Sequence, residues 1–265
     1  MDKIYFTNLQ APNQNNILKD IALYIGNRLG ISIEVVLDLP WREREKLLGI
    51  GEIEVGWICG YPYIMKVDRD HLPIELLVAP VMQHPRYMDR PIYFSDVVVH
   101  ADSHFQSFKD LRGVSWAYNE PGSHSGYILT RYHLASLGER SGYFGNVVEA
   151  GSHQNALELI LKRQIDASSI DSTVLEIELR RQSELAEQIR IIDTLGPSPI
   201  PPWVISKSIP PDLKNKILEI LLGMHLDPHG KEILASVYLA RFAKVIDSDY
   251  DPIREMAHLA EGVEL

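Results

Sequence analysis

Two short segments hold most of the hydrogen-bonding chemistry in this chain: Pro121-Gly122-Ser123-His124-Ser125-Gly126 and Gly151-Ser152-His153-Gln154-Asn155. Each follows a strand-like run and precedes a helix-like one. In the first, two glycines let the backbone turn tightly and approach a ligand. Ser123 and Ser125 supply hydroxyls, and the helix beginning near Tyr127 turns its free N–H groups and positive dipole end into the loop. Several neutral donors around one point suit a compact oxyanion. The same residues also suit a plain N-cap, a common use of serine before a helix. In the second segment His153 is placed to donate to an anion and, as imidazolium, to add charge. The bland alternative is a capping loop with an exposed histidine. Two donor-rich loops at equivalent strand-to-helix positions favour the anion, because open α/β sheets bind ligands at that edge.

A third cluster, Trp57 to Tyr63, ends a strand near the start of the chain. The hydroxyls of Tyr61, Tyr63 and, further on, Tyr93 could complete an anion shell, or the rings could simply pack. Enzyme signatures are missing where they would be expected. The span Gly122–Gly126 has the glycine spacing of a hydrolase elbow, but His124 stands where the nucleophilic serine belongs. Neither nucleotide-loop spacing is matched. Cys59 has no identifiable partner. The pairs His100/His104 and His225/His229 are four apart, but a strand end and Pro228 disfavour a shared helical face. No catalytic residue, metal or cofactor is therefore predicted.

The elements that position these loops come next. The chain has 265 residues, 45% hydrophobic and 23% charged, with a net charge of −10, so it is an ordinary globular protein of one large domain or two lobes. The acidic balance argues against nucleic acid or an anionic membrane as partner. One cysteine excludes a disulfide framework, and no apolar run approaches a membrane span. Strand and helix signals alternate: Ile4–Thr7, a helix after Pro12, Ile31–Leu37, a helix from Trp41, and Glu54–Cys59. A second series follows: Tyr93–His100, Val114–Tyr118, Val147–Ala150, Ile165–Ile170 and Ile189–Thr194, with a long helix over Thr173–Gln188. This pattern predicts parallel strands with covering helices. The Pro-rich stretch Gly196–Pro202 reads as a break, followed by a strand at Trp203–Ser206 and helices over Pro211–Gly223 and Lys231–Ala240. Two chain crossings then predict lobe I over residues 1–95 and 200–265 and lobe II over 96–199, with a cleft between them.

Taken in order and spacing, Ser107–Gly113, Pro121–Gly126, Gly151-Ser152-His153, Ile165-Asp166-Ala167 and Tyr250-Asp251-Pro252-Ile253 resemble the substrate-binding proteins of phosphonate, phosphite and phosphate ABC transporters. The resemblance runs from about Lys3 to Met256. It implies a type 2 periplasmic-binding-protein fold with two crossover strands and a central ligand cleft. It also implies that Ser123, His124, Ser125 and His153 grip phosphorus-bound oxygens, with Tyr93 and one of Tyr61 or Tyr63 completing the shell. Members that take aminoalkyl phosphonates hold the ammonium with two carboxylates, and this chain places Thr173 and Pro201 there. A cation left unpaired in a desolvated site is costly, so 2-aminoethylphosphonate is disfavoured; phosphite, phosphate, methylphosphonate or another phosphorylated metabolite are the alternatives.

The function expected is a non-catalytic, monomeric solute-binding protein that captures a small phosphorus oxyanion by hinge closure and delivers it to an ABC permease. Such a protein is periplasmic, which needs a signal peptide, and none is visible in the opening residues. A chain never exported would instead be a cytoplasmic sensor. An enzyme on the same fold is the remaining alternative, with His153, Cys59 and Asp171 as the residues to suspect.

Overall fold

The computed structural model describes residues 3–265. Met1 and Asp2, part of the opening in which no signal is expected, lie outside the described residues. The chain forms two units. It enters the first with β1 (Lys3–Asn8), α1 (Asn15–Leu29), β2 (Ser32–Val35), α2 (Trp41–Ile50), β3 (Val55–Trp57), α3 (Gly60–Asp68) and β4 (Ile74–Met82). It builds the second with β5 (Ile92–His100), β6 (Ser115–Tyr118), α4 (Leu129–Ser136), β7 (Asn146–Glu149), α5 (His153–Leu161), β8 (Ala167–Asp171), α6 (Ser172–Arg181), α7 (Leu185–Gln188) and β9 (Ile189–Pro199). It returns to the first with β10 (Trp203–Ser206), α8 (Pro211–Gly223), α9 (Pro228–Ala235) and β11 (Leu239–Ala243), and closes with α10 (Asp251–Leu259).

Unit 1 covers the chain to Ile92 and Pro199–Tyr250. Its six-stranded sheet has the order β11-β4-β10-β3-β1-β2. The strands β1, β2 and β3 run parallel, whereas the returning β10 is antiparallel to both β3 and β4. The sheet is thus mixed rather than all parallel. Trp203 anchors it: the indole is fully buried and meets Phe6, Trp57 and Phe242 at ring distances of 6.2, 5.7 and 5.6 Å. The helix expected over Lys231–Ala240 stops at Ala235, and the chain turns there into β11.

Unit 2 covers Tyr93–Ser198 and Asp251–Leu265, so the C-terminal tail belongs here and not to the first lobe as the crossing count predicts. The reason is packing. Ile253, Ala260 and Val263 are buried, Val263 and Met256 join the aromatic core around Phe108, Trp116 and Phe144, and Arg131 donates to the Val263 and Ala260 carbonyls at 2.6 and 2.9 Å. The five-stranded sheet has the order β7-β6-β8-β5-β9. Its strands alternate faces, as a pleat must: Val97 and Val99 enter the aromatic core, while Val98 enters a second core with Leu157, Ile160 and Ile170 on the α5 side. The strand β9 continues through Gly196-Pro197-Ser198-Pro199, where the sequence suggested a break. It lies at the sheet edge, where prolines that cannot donate are tolerated. The predicted long helix over Thr173–Gln188 is in fact two, α6 and α7.

Candidate functional site

The two donor loops are brought abreast by strand pairing. β6 and β7 are parallel neighbours, and the ladder continues past their ends: Ala150 N–H donates to Tyr118 O and Gly151 N–H to Asn119 O, both at 2.8 Å. The loop after β6 and the loop after β7 therefore start side by side. They meet at Gly126. A Cβ there would lie 2.0 Å from Asn119 Oδ1 and 3.2 Å from His153 Cε1, so glycine lets the Asn119 amide and the His153 ring close over it. Next to it, Ser125 Oγ lies 3.2 Å from His153 Nε2.

The first loop enters its helix through a π-turn, His124–Ile128, continuous with α4. The Ile128 N–H reaches back five residues to Ser123 O at 3.1 Å. Such wide turns recur at functional sites. Ser123 is an N-cap: its Oγ accepts from Gly126 N–H at 3.1 Å. The amides of His124, Ser125 and Tyr127 have no carbonyl a turn behind them, as at any helix start. The turn is pinned from the sheet by hydroxyls: Ser95 donates to Ser125 O at 2.9 Å, and Ser169 donates to the same oxygen at 3.1 Å. Alternation along β5 and β8 puts these two serines on the face that carries the turn. Thr130 Oγ1 closes the set, 2.9 Å from Ser169 Oγ.

His153 differs from the charged reading the sequence allowed it. It and His124 are both buried, and burial pushes the His124 pKa down to about 3 and that of His153 to about 4. Each is a neutral imidazole at pH 7, so His153 supplies a polar contact and no cation. His124 Nε2 lies 2.9 Å from Ser198 Oγ, and the Tyr93 ring is 6.4 Å from the His124 ring. Asp171, suspected as an enzymatic group, caps α6: its Oδ1 accepts from Thr173 N–H and Thr173 Oγ1 at 2.8 and 2.7 Å. Burial still raises its pKa to about 6, with Asp96 adding to the shift. Ser123, His124, Ser125, His153 and Tyr93 therefore all fall within unit 2. Tyr61, Tyr63 and Cys59 belong to unit 1, at the start of α3. Tyr63 is 2% exposed, and its hydroxyl donates to Asp247 at 2.7 Å, which gives it a packing and bonding role there. Ser95, Ser169, Ser198 and Asn119 are site-building residues that sequence reasoning missed.

These titrations set an acid dependence. A histidine whose folded pKa is depressed below its ordinary ~6.5 is less readily protonated folded than unfolded, so its contribution to stability is lost as pH falls from ~6.5 toward the folded value. Asp171, with a raised pKa, acts oppositely and disfavours folding as pH rises through about 6. Two histidines with larger shifts outweigh one aspartate. The melting temperature of unit 2 is expected to fall between pH 6.5 and 4, and His153→Gln to flatten that fall in a calorimetric pH series.

Two mixed α/β units joined through repeated chain crossings define a type 2 periplasmic-binding-protein fold. The chain belongs to the family of ABC transporter phosphonate periplasmic substrate-binding proteins, whose profile matches residues 5–250. Among solved structures it is similar to a binding-protein component of an ABC phosphonate transporter from Pseudomonas aeruginosa, with 19% identity, a TM-score of 0.84, and 98% of this chain and 86% of that one covered. It is also similar to PhnD1 from Prochlorococcus marinus in complex with methylphosphonate, with 13% identity, a TM-score of 0.85 and 99% of each chain covered. A Xanthomonas citri protein bound to ATP shares the fold at 16% identity and a TM-score of 0.74, with 98% of each chain covered. No helix among the described residues is long and apolar enough to cross a membrane.

Proposed function

We propose that unit 2 holds a small phosphorus oxyanion (phosphite, phosphate or a simple phosphonate) on the first-turn amides of the π-turn, the Ser125 hydroxyl and the His153 imidazole. Tyr93 and the edge of His124 flank it. The protein is then a non-catalytic solute receptor that captures its ligand by hinge closure and serves an ABC permease. One observation carries the proposal: two donor loops from adjacent strands converge at Gly126, with Ser125 and His153 in contact. Neutral donors in a desolvated site suit a tetrahedral anion, since hydrogen bonds to a charged acceptor are the strong ones. Supporting it are the family membership and the methylphosphonate in the Prochlorococcus marinus complex.

Thermal unfolding with phosphite, phosphate, methylphosphonate and sulfate tests this, with 2-aminoethylphosphonate as the compound expected not to bind. At ~100 times the dissociation constant a ligand adds ~2.7 kcal/mol to stability. A clear upward shift with one phosphorus oxyanion is expected, and its loss in Ser125→Ala. No shift with any of them contradicts the proposal.

A further inference from the structure

Hydrogen bonding leaves a choice of register where the first donor loop runs into α4. In an α-helix the Leu129 N–H bonds four residues back, to Ser125 O. Here it bonds five back, to His124 O, and the Ile128 N–H bonds five back to Ser123 O at 3.1 Å. The π register thus diverts from Ser125 O the amide that an α-helix would give it. A buried carbonyl left without a donor is destabilising, and π-turns are rare. Something must hold this one.

Side chains from the sheet supply what the diverted amide does not. Ser95 Oγ on β5 lies 2.9 Å from Ser125 O, and Ser169 Oγ on β8 lies 3.1 Å from it, with Gly126 O a further 3.4 Å contact of Ser169. A carbonyl oxygen can only accept, so the direction of these bonds is fixed, and two hydroxyls match its two lone pairs. Ser95, Ser125 and Ser169 are all buried. The next positions on the same face of the two strands, Val97 and Ala167, belong to the aromatic core. Hydroxyls stand on this face where the turn lies over it, and apolar side chains follow where it does not.

We infer that Ser95 and Ser169 are positioning residues that select the π register of this turn, and through it the arrangement of donors that holds the anion. Without their hydroxyls, Ser125 O regains a donor by taking back the Leu129 N–H, and the turn rewinds by one residue into an ordinary α start. One residue is about 100° of helical rotation. That swings Ser125 Oγ off its 3.2 Å contact with His153 Nε2. The inference rests on the anion site proposed above and adds the residues that decide whether the site is formed.

The test compares the full-length wild type with the double variant Ser95→Ala, Ser169→Ala, which removes two hydroxyl oxygens and leaves every backbone group in place. NMR couplings across hydrogen bonds connect an amide nitrogen to the carbonyl carbon that accepts from it. In the wild type the Leu129 nitrogen should couple to the His124 carbonyl, and in the double variant to that of Ser125. A loss of packing alone would lower stability without moving this coupling. Calorimetric titration with methylphosphonate gives the second readout. A net hydrogen bond corresponds to roughly tenfold in the register equilibrium, and apparent affinity falls with the competent fraction. The double variant should bind methylphosphonate at least ~10-fold more weakly, and Ser95→Ala alone by less, with both couplings present together. That single variant carries the same two readouts should the double one fail to fold. A Leu129 coupling that stays on His124 without the hydroxyls overturns the inference. So does wild-type affinity in a chain whose coupling has moved to Ser125. Failure of the wild type to bind methylphosphonate overturns the anion site, whereas the couplings alone decide the register.

Discussion

Deleting Asp251–Leu265 is expected to unfold unit 2 while unit 1 keeps its protection. The segment is short, but it buries Ile253, Ala260 and Val263 and gives Arg131 its two carbonyl acceptors. Full burial of a large aliphatic side chain is worth ~1.5–3 kcal/mol, and Arg131 would lose both bonds with its guanidinium still half-buried. Against a typical domain stability of ~5–15 kcal/mol, the combined loss is most of what unit 2 has. Hydrogen exchange read by mass spectrometry on the truncated chain should show β5, β6 and β8 exchanging freely and β1, β3 and β10 still protected. Full protection of β6 and β8 would mean the tail is dispensable and would undo its assignment to unit 2.

The second large effect is expected at Gly126. Replacing it with alanine puts a methyl group 2.0 Å from Asn119 Oδ1 and 3.2 Å from His153 Cε1. Relief requires the Asn119 amide to swing away and His153 to give by a small shift, which disturbs the contact between Ser125 and His153. Gly126→Ala should therefore weaken oxyanion binding and lower stability by the ~1–3 kcal/mol typical of overpacking. Asn119→Ala in the same chain removes the closer clash and leaves the 3.2 Å contact, which a small shift of His153 relieves. Partial recovery of affinity in the double variant would show that the spacing of the loops is what matters. Wild-type affinity in Gly126→Ala would show that the loops do not act together.

Much of this was legible in the sequence because it depended on local pattern. The donor loops are marked by glycine and serine at strand-to-helix junctions, and the structure joins Ser125 to His153 as their equivalent positions suggested. What pairing alone decides was not legible. Ser95 and Ser169 lie inside apolar strand runs, and only the antiparallel pairing of β5 with β8 and the parity of each strand place them beneath the π-turn. A signal was present, since a serine in a fully buried strand needs a partner, and Ser168-Ser169 between Ala167 and Ile170 is such a case. The continuation of β9 past Thr194 was hidden because prolines are read as breaks without knowing which strand is at an edge. The strand β4 was hidden by Pro80 within it. The tail was placed wrongly by counting two crossings, yet Ile253, Met256, Ala260 and Val263 recur at near-helical spacing and mark a face that had to be buried. The neutrality of His153 was not legible because burial is a tertiary property.

The most direct check is an amide and imidazole NMR titration of the intact protein with methylphosphonate. If the converging loops hold the anion, the Ser125 and Tyr127 amides and the His153 ring should show the largest shifts, saturating together at one ligand per chain. Saturable binding whose shifts fall elsewhere, with Ser125, Tyr127 and His153 unmoved, would contradict the assignment of the site to these two loops.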